Sequence, residues 1–310
     1  MTQEPKYCPQ CGTGLVERLE GERLRPTCPA CGFIYYLNPV VAAAALVEEE
    51  GRVVLVRRGV QPKAGYWGLP AGYVEADETA EEAAVRETAE EAGLQIEVDD
   101  LLDVYSFGGD DFPRGVLIVY SAHKVAGQLQ AGDDASEAAF FAPDELPQES
   151  EVAFWTHRKV LKDWRRARSV SYRPAGPDEM EAARALAEAH QRLLWLPDPV
   201  QRDESTVLLV ALDRGQVVGY AHLAFDARSQ ARLEDVFVAP SYRRWGIGTH
   251  LMEECVALAQ RSGMTSIVAE VEAGNTAVAV YLKAGFQVCG FANAPATQRD
   301  GAALFVARAL

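Results

Sequence analysis

A multidomain α/β protein is the fold class that this sequence predicts, and three observations predict it. Four of the six cysteines stand in two C-x2-C pairs, "CPQC" (Cys8, Cys11) and "CPAC" (Cys28, Cys31), with 16 residues between the pairs. A helix-forming run rich in Ala and Glu, residues 80–92, is flanked by short segments that read as strands. Near Arg168-Ser169 the strand, turn and helix pattern starts again. A chain of 310 residues, 48% of them hydrophobic, is long enough to give each of two domains its own core. The expected divisions are 1–36, 37–168 and 169–310.

The cysteine spacing lies within the range of a four-thiolate structural zinc site, held by Cys8, Cys11, Cys28 and Cys31. Gly12 and Gly32 follow the two pairs and let the backbone turn so that amides approach the sulfurs. Two disulfides are the alternative in a secreted protein, but no basic, apolar-cored N-terminal signal is present. A closed four-cysteine shell leaves no position for water, which assigns the zinc to folding. Cys255 and Cys289, in apolar surroundings, are expected in the core.

No run of 18 or more apolar residues occurs, so no membrane span is expected, and the reading is cytoplasmic. The formal charge of −15 argues against bulk nucleic-acid binding. It is uneven: residues 1–168 carry 17 Lys+Arg against 29 Asp+Glu, while residues 169–310 carry 13 against 16.

The first domain opens with strands at Val40–Val47 and Arg52–Val56 around an acidic turn ending in Gly51. Thr79 followed by Glu82 reads as a capping box for the helix Ala80–Ala92, and Gly93 suits a left-handed cap at its end. Glu87, Glu90 and Glu91 then share one face, where like charges cost a few tenths of a kcal/mol each. Such a face is either a solvated acidic stripe or a site for hard divalent cations. Strands follow at Leu102–Phe107 and Val116–Ala122, with "GGDDFPRG" as a turn-rich loop between them that could reach a substrate. Residues 154–167 form an amphipathic helix with basic residues at its end.

The residues before the helix decide between the two readings. Gly72, five residues, Glu78, seven residues, Arg86-Glu87, then Glu90-Glu91 and Gly93-Leu94 resemble the Nudix box, with Thr88 departing from the bulky apolar residue expected there. This resemblance implies an α/β/α sandwich with a mixed sheet, holding Mg2+ or Mn2+ against a diphosphate. Carried over by position, it implies Glu87, Glu90 and Glu91 as metal ligands, with the carbonyl of Ala71 as a further one. Glu87 would also orient or deprotonate water, and Arg86 and Glu78 would brace the loop. An additional acid is expected on the later segment "DDASEAAFF", with Glu137 as its candidate. The ribbon, "YLNPVV" and "GYWGLPAGYVE" are similar to a subgroup of ribbon-bearing pyrophosphatases acting on FAD, NADH or ADP-ribose. The subtype runs are missing: where NADH enzymes carry S-Q-P-W-P-F-P, this chain reads "YSFGGDDFPRG".

The second half carries other chemistry. "SVSYRPAGPDEMEAARALAEAH" reads as strand, turn and helix, and "STVLLVALDRGQVVGYAHLAF" as a hairpin turning at Asp213-Arg214-Gly215. A strand, Leu233–Val238, runs into Arg243-Arg244-Trp245-Gly246-Ile247-Gly248 and a helix. Glycines admit close approach of a ligand, and free amides at a helix start bind a pyrophosphate. Together with Asn275, Tyr281 and Gly285-Phe286 downstream, this resembles the GNAT acetyltransferases, an α+β fold with a mixed sheet. The resemblance implies acetyl-CoA as donor. The backbone around Arg243, Arg244, Gly246, Ile247, Gly248 and Thr249 would cradle its diphosphate, and Asn275 would meet the pantetheine arm. Tyr281 would protonate the departing thiolate, and the general base is open between Glu234 and Glu270. A bifunctional enzyme is therefore expected, taking a small nucleotide, acetyl-CoA and an amine acceptor, with a homodimer as its oligomer. A nucleotide sensor in which one domain binds without turnover is the rival class.

Overall fold

The computed structural model describes residues 5–109, 112–190, 205–226, 229–272, 277–293 and 302–310. The chain divides into two compact units, Met1–Leu161 and Lys162–Leu310. Among the described residues no helix is long and apolar enough to cross a membrane.

The first unit begins with an antiparallel hairpin of β1 (Val16–Glu20) and β2 (Arg23–Thr27). Its main sheet is mixed. It contains β3 (Val40–Glu49), β4 (Arg52–Arg58), β5 (Trp67–Gly68), β7 (Leu94–Gly109) and β8 (Phe112–Gly127) in the order β5-β4-β3-β8-β7. Two further strands join it: β6 (Ala71–Tyr73) on β3 and β9 (Ala135–Phe141) on β4. Within it β3 and β8 run parallel, over nine registered pairs from Val40↔Gly115 to Glu48↔His123. Glu50 and Gly51 both adopt positive φ, 51° and 74°, and so close a two-residue turn whose twist matches its strands.

The helix α1 (Ala80–Ala92) has the ends that its sequence predicts. Thr79 Oγ1 accepts from Glu82 N–H (3.2 Å), Glu82 Oε2 accepts from Thr79 N–H (2.8 Å), and Gly93 caps the helix at φ 68°. Its buried face is built of small residues. Ala83, Ala84 and Ala92 pack with Ala43, Ala45, Val47, Val54 and Val56. Alanine against alanine brings helix and sheet close together and leaves the glutamate face turned toward the loop before β6. Thr88, the departure from the apolar pattern, is fully buried and returns its hydroxyl to Ala84 O at 2.7 Å, so its polarity is satisfied within the helix. The helix α2 (Trp155–Arg168) follows β9.

The second unit holds β10 (Ser171–Pro174), α3 (Pro177–Ala189), β11 (Thr206–Asp213), β12 (Gln216–Phe225), β13 (Gln230–Val238), α4 (Ile247–Arg261), β14 (Ser266–Glu272), α5 (Ala277–Lys283), β15 (Gln287–Asn293) and β16 (Ala302–Ala309). They form one mixed sheet of order β10-β11-β12-β13-β14-β16-β15. Ala183 and Ala187 of α3 cover one face, against Leu208, Val210, Tyr220 and Phe237. Leu251, Met252, Cys255 and Ala259 of α4 cover the other, against Val218, Ala221, Leu233 and Ile267.

Two expectations need correction. The segment read as a loop is largely strand: β7 and β8 form one long hairpin that pairs as far as Gly109↔Phe112. Register shifts at four places break the alternation of polar and apolar residues along it, which hid the strands' true length. Cys289, on β15, is exposed, not core; its Sγ lies 3.3 Å from Phe305 O on the neighbouring β16. Cys255 is buried, and burial pushes its thiol up to about 12.

Candidate functional site

The four ribbon cysteines converge. Cys8 Sγ lies 3.6 Å from Cys31 Sγ, and Cys11 Sγ lies 3.5 Å from Cys28 Sγ and 3.6 Å from Cys31 Sγ. Sulfurs on a tetrahedral zinc at about 2.3 Å stand about 3.8 Å apart, so the set fits that ion. Each pair sits in the same turn: Gly12 N–H donates to Cys8 O and Gly32 N–H to Cys28 O, with both glycines near φ 75°. A local repeat thus builds each half of the cluster, and the antiparallel hairpin β1–β2 lies between the halves.

The glutamate face of α1 is organised by one arginine. Arg86 grips Glu78 with two bonds, Nε to Oε2 at 3.0 Å and Nη2 to Oε1 at 2.7 Å. Its Nη1 reaches Glu87 Oε1 (2.7 Å) and Glu90 Oε2 (2.9 Å), and its Nη2 also donates to Tyr73 O (3.1 Å). The bidentate bond from Arg86, helped by the Glu75 N–H, holds the Glu78 carboxyl down at about 2. Arg86 itself is held above its ordinary value by Glu78 and then Glu87.

Glu91 lies deeper. It is 5% exposed, and its Oε2 accepts from Ala71 N–H at 3.0 Å. Burial pushes its carboxyl up to about 7 despite that bond. Burial also raises Glu87, against the pull of Arg86. Glu87 lies directly over Gly72: a Cβ built there would stand 1.9 Å from Glu87 Oε1. The glycine is therefore a cradle for that carboxylate. Buried carboxylates beside a backbone carbonyl form a hard-oxygen donor set that suits Mg2+ or Mn2+. Among the described residues, the cysteines are the one group of three or more His, Cys, Asp or Glu whose ligand atoms all lie within 4.8 Å of one another. Glu87, Glu90 and Glu91 are not drawn together that tightly, since Arg86 takes up Glu87 and Glu90.

Glu137, the candidate for the additional acid, lies on β9. It faces Arg57 across the β4–β9 pairing, forms an ion pair at 2.9 Å and is half exposed. Besides the helix glutamates, Asp133 adds a smaller upward push on Glu87, and Asp134 on Glu91. They stand in the turn before β9, where Gly132 N–H donates to Glu91 O.

A second residue carried no signal in the sequence. His157 of α2 is 5% exposed, and its Nδ1 accepts from Leu69 N–H at 3.0 Å. Burial, then the nearby Arg58 charge, lowers it to about 4, so the ring is neutral at neutral pH.

In the second unit the parallel pairing of β13 with β14 ends at Leu233↔Ala269. Glu234 and Glu270 are the next residues on the two strands, and the register of β12 against β13 passes over Glu234. The connection from β13 to α4 contains Arg244 at φ 68° and Gly246 at φ 82°, and α4 starts at Ile247. The amides of Ile247, Gly248 and Thr249 thus occupy the first turn, which a helix leaves without internal acceptors. Arg243 turns back: its Nε donates to Val238 O at 3.0 Å and its guanidinium lies over Phe237. Tyr281 in α5 is 7% exposed and meets Phe286 edge-on at 5.4 Å between centroids. Asn275 lies outside the described residues.

Comparison with known proteins matches this division. Residues 6–37 match the Nudix N-terminal family, residues 37–164 the NUDIX domain, and residues 161–286 the Acetyltransferase (GNAT) family. The chain is similar to an ADP-ribose pyrophosphatase of Methanocaldococcus jannaschii, 44% identical over 133 residues, which cover 42% of this chain and 76% of that protein. It is also similar to a NAD-capped RNA hydrolase NudC of Vibrio vulnificus, 27% identical over 47% of this chain, and spans 54% of that relative's length. A solved NUDIX hydrolase from Nitrosomonas europaea superposes with a TM-score of 0.50 at 33% identity, covering 53% of this chain and 92% of that one. A helix packed on a mixed sheet by its alanine face, with Glu91 and Glu87 held against Ala71 and Gly72, and this extent of identity lead to one conclusion: the chain belongs to the Nudix family, an enzyme in which a GNAT acetyltransferase domain follows the hydrolase domain.

Proposed function

We propose that the first unit hydrolyses the diphosphate of a nucleoside diphosphate joined to a second moiety, with ADP-ribose foremost in the FAD, NADH and ADP-ribose class. The second unit transfers the acetyl group of acetyl-CoA to an amine. We take residues 1–36 as the ribbon, 37–168 as the hydrolase and 169–310 as the acetyltransferase. The observation that carries the hydrolase reading is the pairing of Glu91, buried and tied to Ala71 N–H, with Glu87 seated over Gly72. The 44% identity to an ADP-ribose pyrophosphatase supports the substrate class. The net charge of −15 favours a free nucleotide over a long nucleic acid.

Glu87, Glu90, Glu91 and the carbonyl of Ala71 would hold Mg2+ or Mn2+, with Asp133 and Asp134 adding negative charge nearby. A bound divalent cation neutralises the diphosphate and acidifies water. Glu87 takes the proton of the attacking water; its raised pKa brings its basicity nearer to neutral pH. Arg86 holds Glu87 and Glu90 on one side and the Glu78 loop on the other. In the second unit the acceptor nitrogen attacks the thioester carbonyl, the bond from carbon to sulfur breaks, and Tyr281 gives its proton to the sulfur. Glu234 or Glu270, beside the end of the β13–β14 pairing, would take the proton of the amine.

A panel of ADP-ribose, NADH, FAD, CoA, dinucleoside polyphosphates and NAD-capped RNA, assayed on the full chain with Mg2+ and Mn2+, tests this. AMP and ribose 5-phosphate from ADP-ribose are the expected products, and they should disappear in Glu91→Gln. Failure to cleave any member at any metal concentration overturns the hydrolase reading. Acetyl-CoA turnover with an amine panel tests the other half, and binding without turnover there would favour a sensor.

A further inference from the structure

The loop that carries Ala71 is pinned at almost every peptide. Trp67 O accepts from Ala153 N–H (2.8 Å), Leu69 N–H donates to His157 Nδ1 (3.0 Å), Pro70 O accepts from Ala45 N–H (3.2 Å), and Ala71 N–H donates to Glu91 (3.0 Å). Three of these partners are backbone or the proposed ligand Glu91. The fourth is a side chain 88 residues further along the chain, on a different element. The fit of that side chain is close. A Cβ at Gly68 would stand 2.9 Å from His157 Nδ1, so only glycine lets the ring reach the loop. Phe154 lies against the ring, with 5.4 Å between centroids. A ring that accepts through Nδ1 carries its own proton on Nε2, and burial keeps it in that form.

We propose that His157 is a positioning residue for the divalent cation of the hydrolase, acting through the Leu69–Ala71 peptides on the direction of the Ala71 carbonyl. The inference rests on the metal reading given above. Its physical basis is that a buried N–H without an acceptor is costly. Without Nδ1, Leu69 N–H would seek another partner and swing the two peptides that separate it from Ala71. Residues that support metal ligands in this way are typically worth about 10- to 100-fold in metal affinity.

The experiment titrates the full chain, with its zinc bound, with Mn2+ and follows the free ion by electron paramagnetic resonance. His157→Asn places an oxygen where Nδ1 stands; His157→Gln places its polar end where Nε2 stands. His157→Asn should bind Mn2+ close to the parent, and His157→Gln about 10- to 100-fold more weakly. At saturating Mn2+ the hydrolysis rate of His157→Gln should return to near the parent value, because the change acts on metal affinity and not on the chemical step. Equal Mn2+ affinity in parent, His157→Asn and His157→Gln overturns the inference. If His157→Gln does not fold, Gly68→Ala displaces the ring from the opposite side and must weaken Mn2+ binding in its place. The Glu91→Gln control separates the two claims: if it leaves Mn2+ binding unchanged, the metal reading itself falls, and this inference falls with it.

Discussion

In the first unit, the groups around the proposed diphosphate site are carboxylates, two of them raised by burial, and in the proposed reading a cation stands between them and the substrate. In the second unit they are backbone amides at the start of the 15-residue helix α4, which would meet a diphosphate directly. Glycines serve the two designs for different reasons. Gly72 is required for space, because a Cβ would collide with the Glu87 carboxylate at 1.9 Å. Gly246 is required for its backbone, at φ 82°, while the nearest atom to a Cβ there is Arg168 Nη1 at 4.0 Å. The carboxylate design, as proposed, takes a metal, and Gly72 makes it sensitive to steric change. The amide design depends on local conformation.

Substitutions can break this contrast from either side. Glu91→Gln should lower hydrolysis by about three orders of magnitude, corresponding to the several kcal/mol that metal-assisted charge neutralisation supplies, and leave acetyl transfer alone. Parallel assays of the two activities check it, and a variant that still hydrolyses at the parent rate removes Glu91 from the metal site. Tyr281→Phe makes the mirror-image experiment. It should cut acetyl transfer by about 100- to 10,000-fold with acetyl-CoA affinity and hydrolysis nearly unchanged. Unaltered transfer would make Tyr281 a packing partner of Phe286.

The glycines sharpen the comparison at smaller scale. Gly72→Ala should keep its fold, since the Glu87 side chain can swing aside, yet lose hydrolysis because Glu87 has left its seat. Gly246→Ala should cost about 1–2 kcal/mol for placing a side chain at left-handed φ, read as a lower melting temperature of the second unit. Equal stability losses in the two variants would erase the distinction between space and conformation.

The smallest effect is in pH. Glu78 is held down at about 2, from 4.5, so its stabilisation is complete above pH 4.5 and disappears as pH falls toward 2. Glu91 is pushed up to about 7, from 4.5, so its contribution is complete below pH 4.5 and disappears as pH rises through 7. With divalent metal removed, the melting temperature of the first unit should therefore fall between pH 5 and pH 8, and Glu91→Gln should flatten that slope. Calorimetry across this range, with the zinc retained, decides it.

The sequence by itself determined whatever is settled within a few residues. The Thr79 and Glu82 box and the Gly93 cap bound α1 at Ala80 and Ala92, because capping bonds span three or four positions. The same locality made the ribbon turns, the Glu50-Gly51 turn and the shared face of Glu87, Glu90 and Glu91 legible. Only the tertiary structure decided which long-range partner each group meets. It seated Glu87 over Gly72, brought Asp133 and Asp134 toward the site, gave Glu137 to Arg57, and set His157 against Leu69. It also exposed Cys289 and lengthened β7 and β8 past their bulges. A helix cap is written in neighbouring residues, whereas a contact across 88 residues depends on how sheet and helices pack, and no local pattern in the chain encodes that packing.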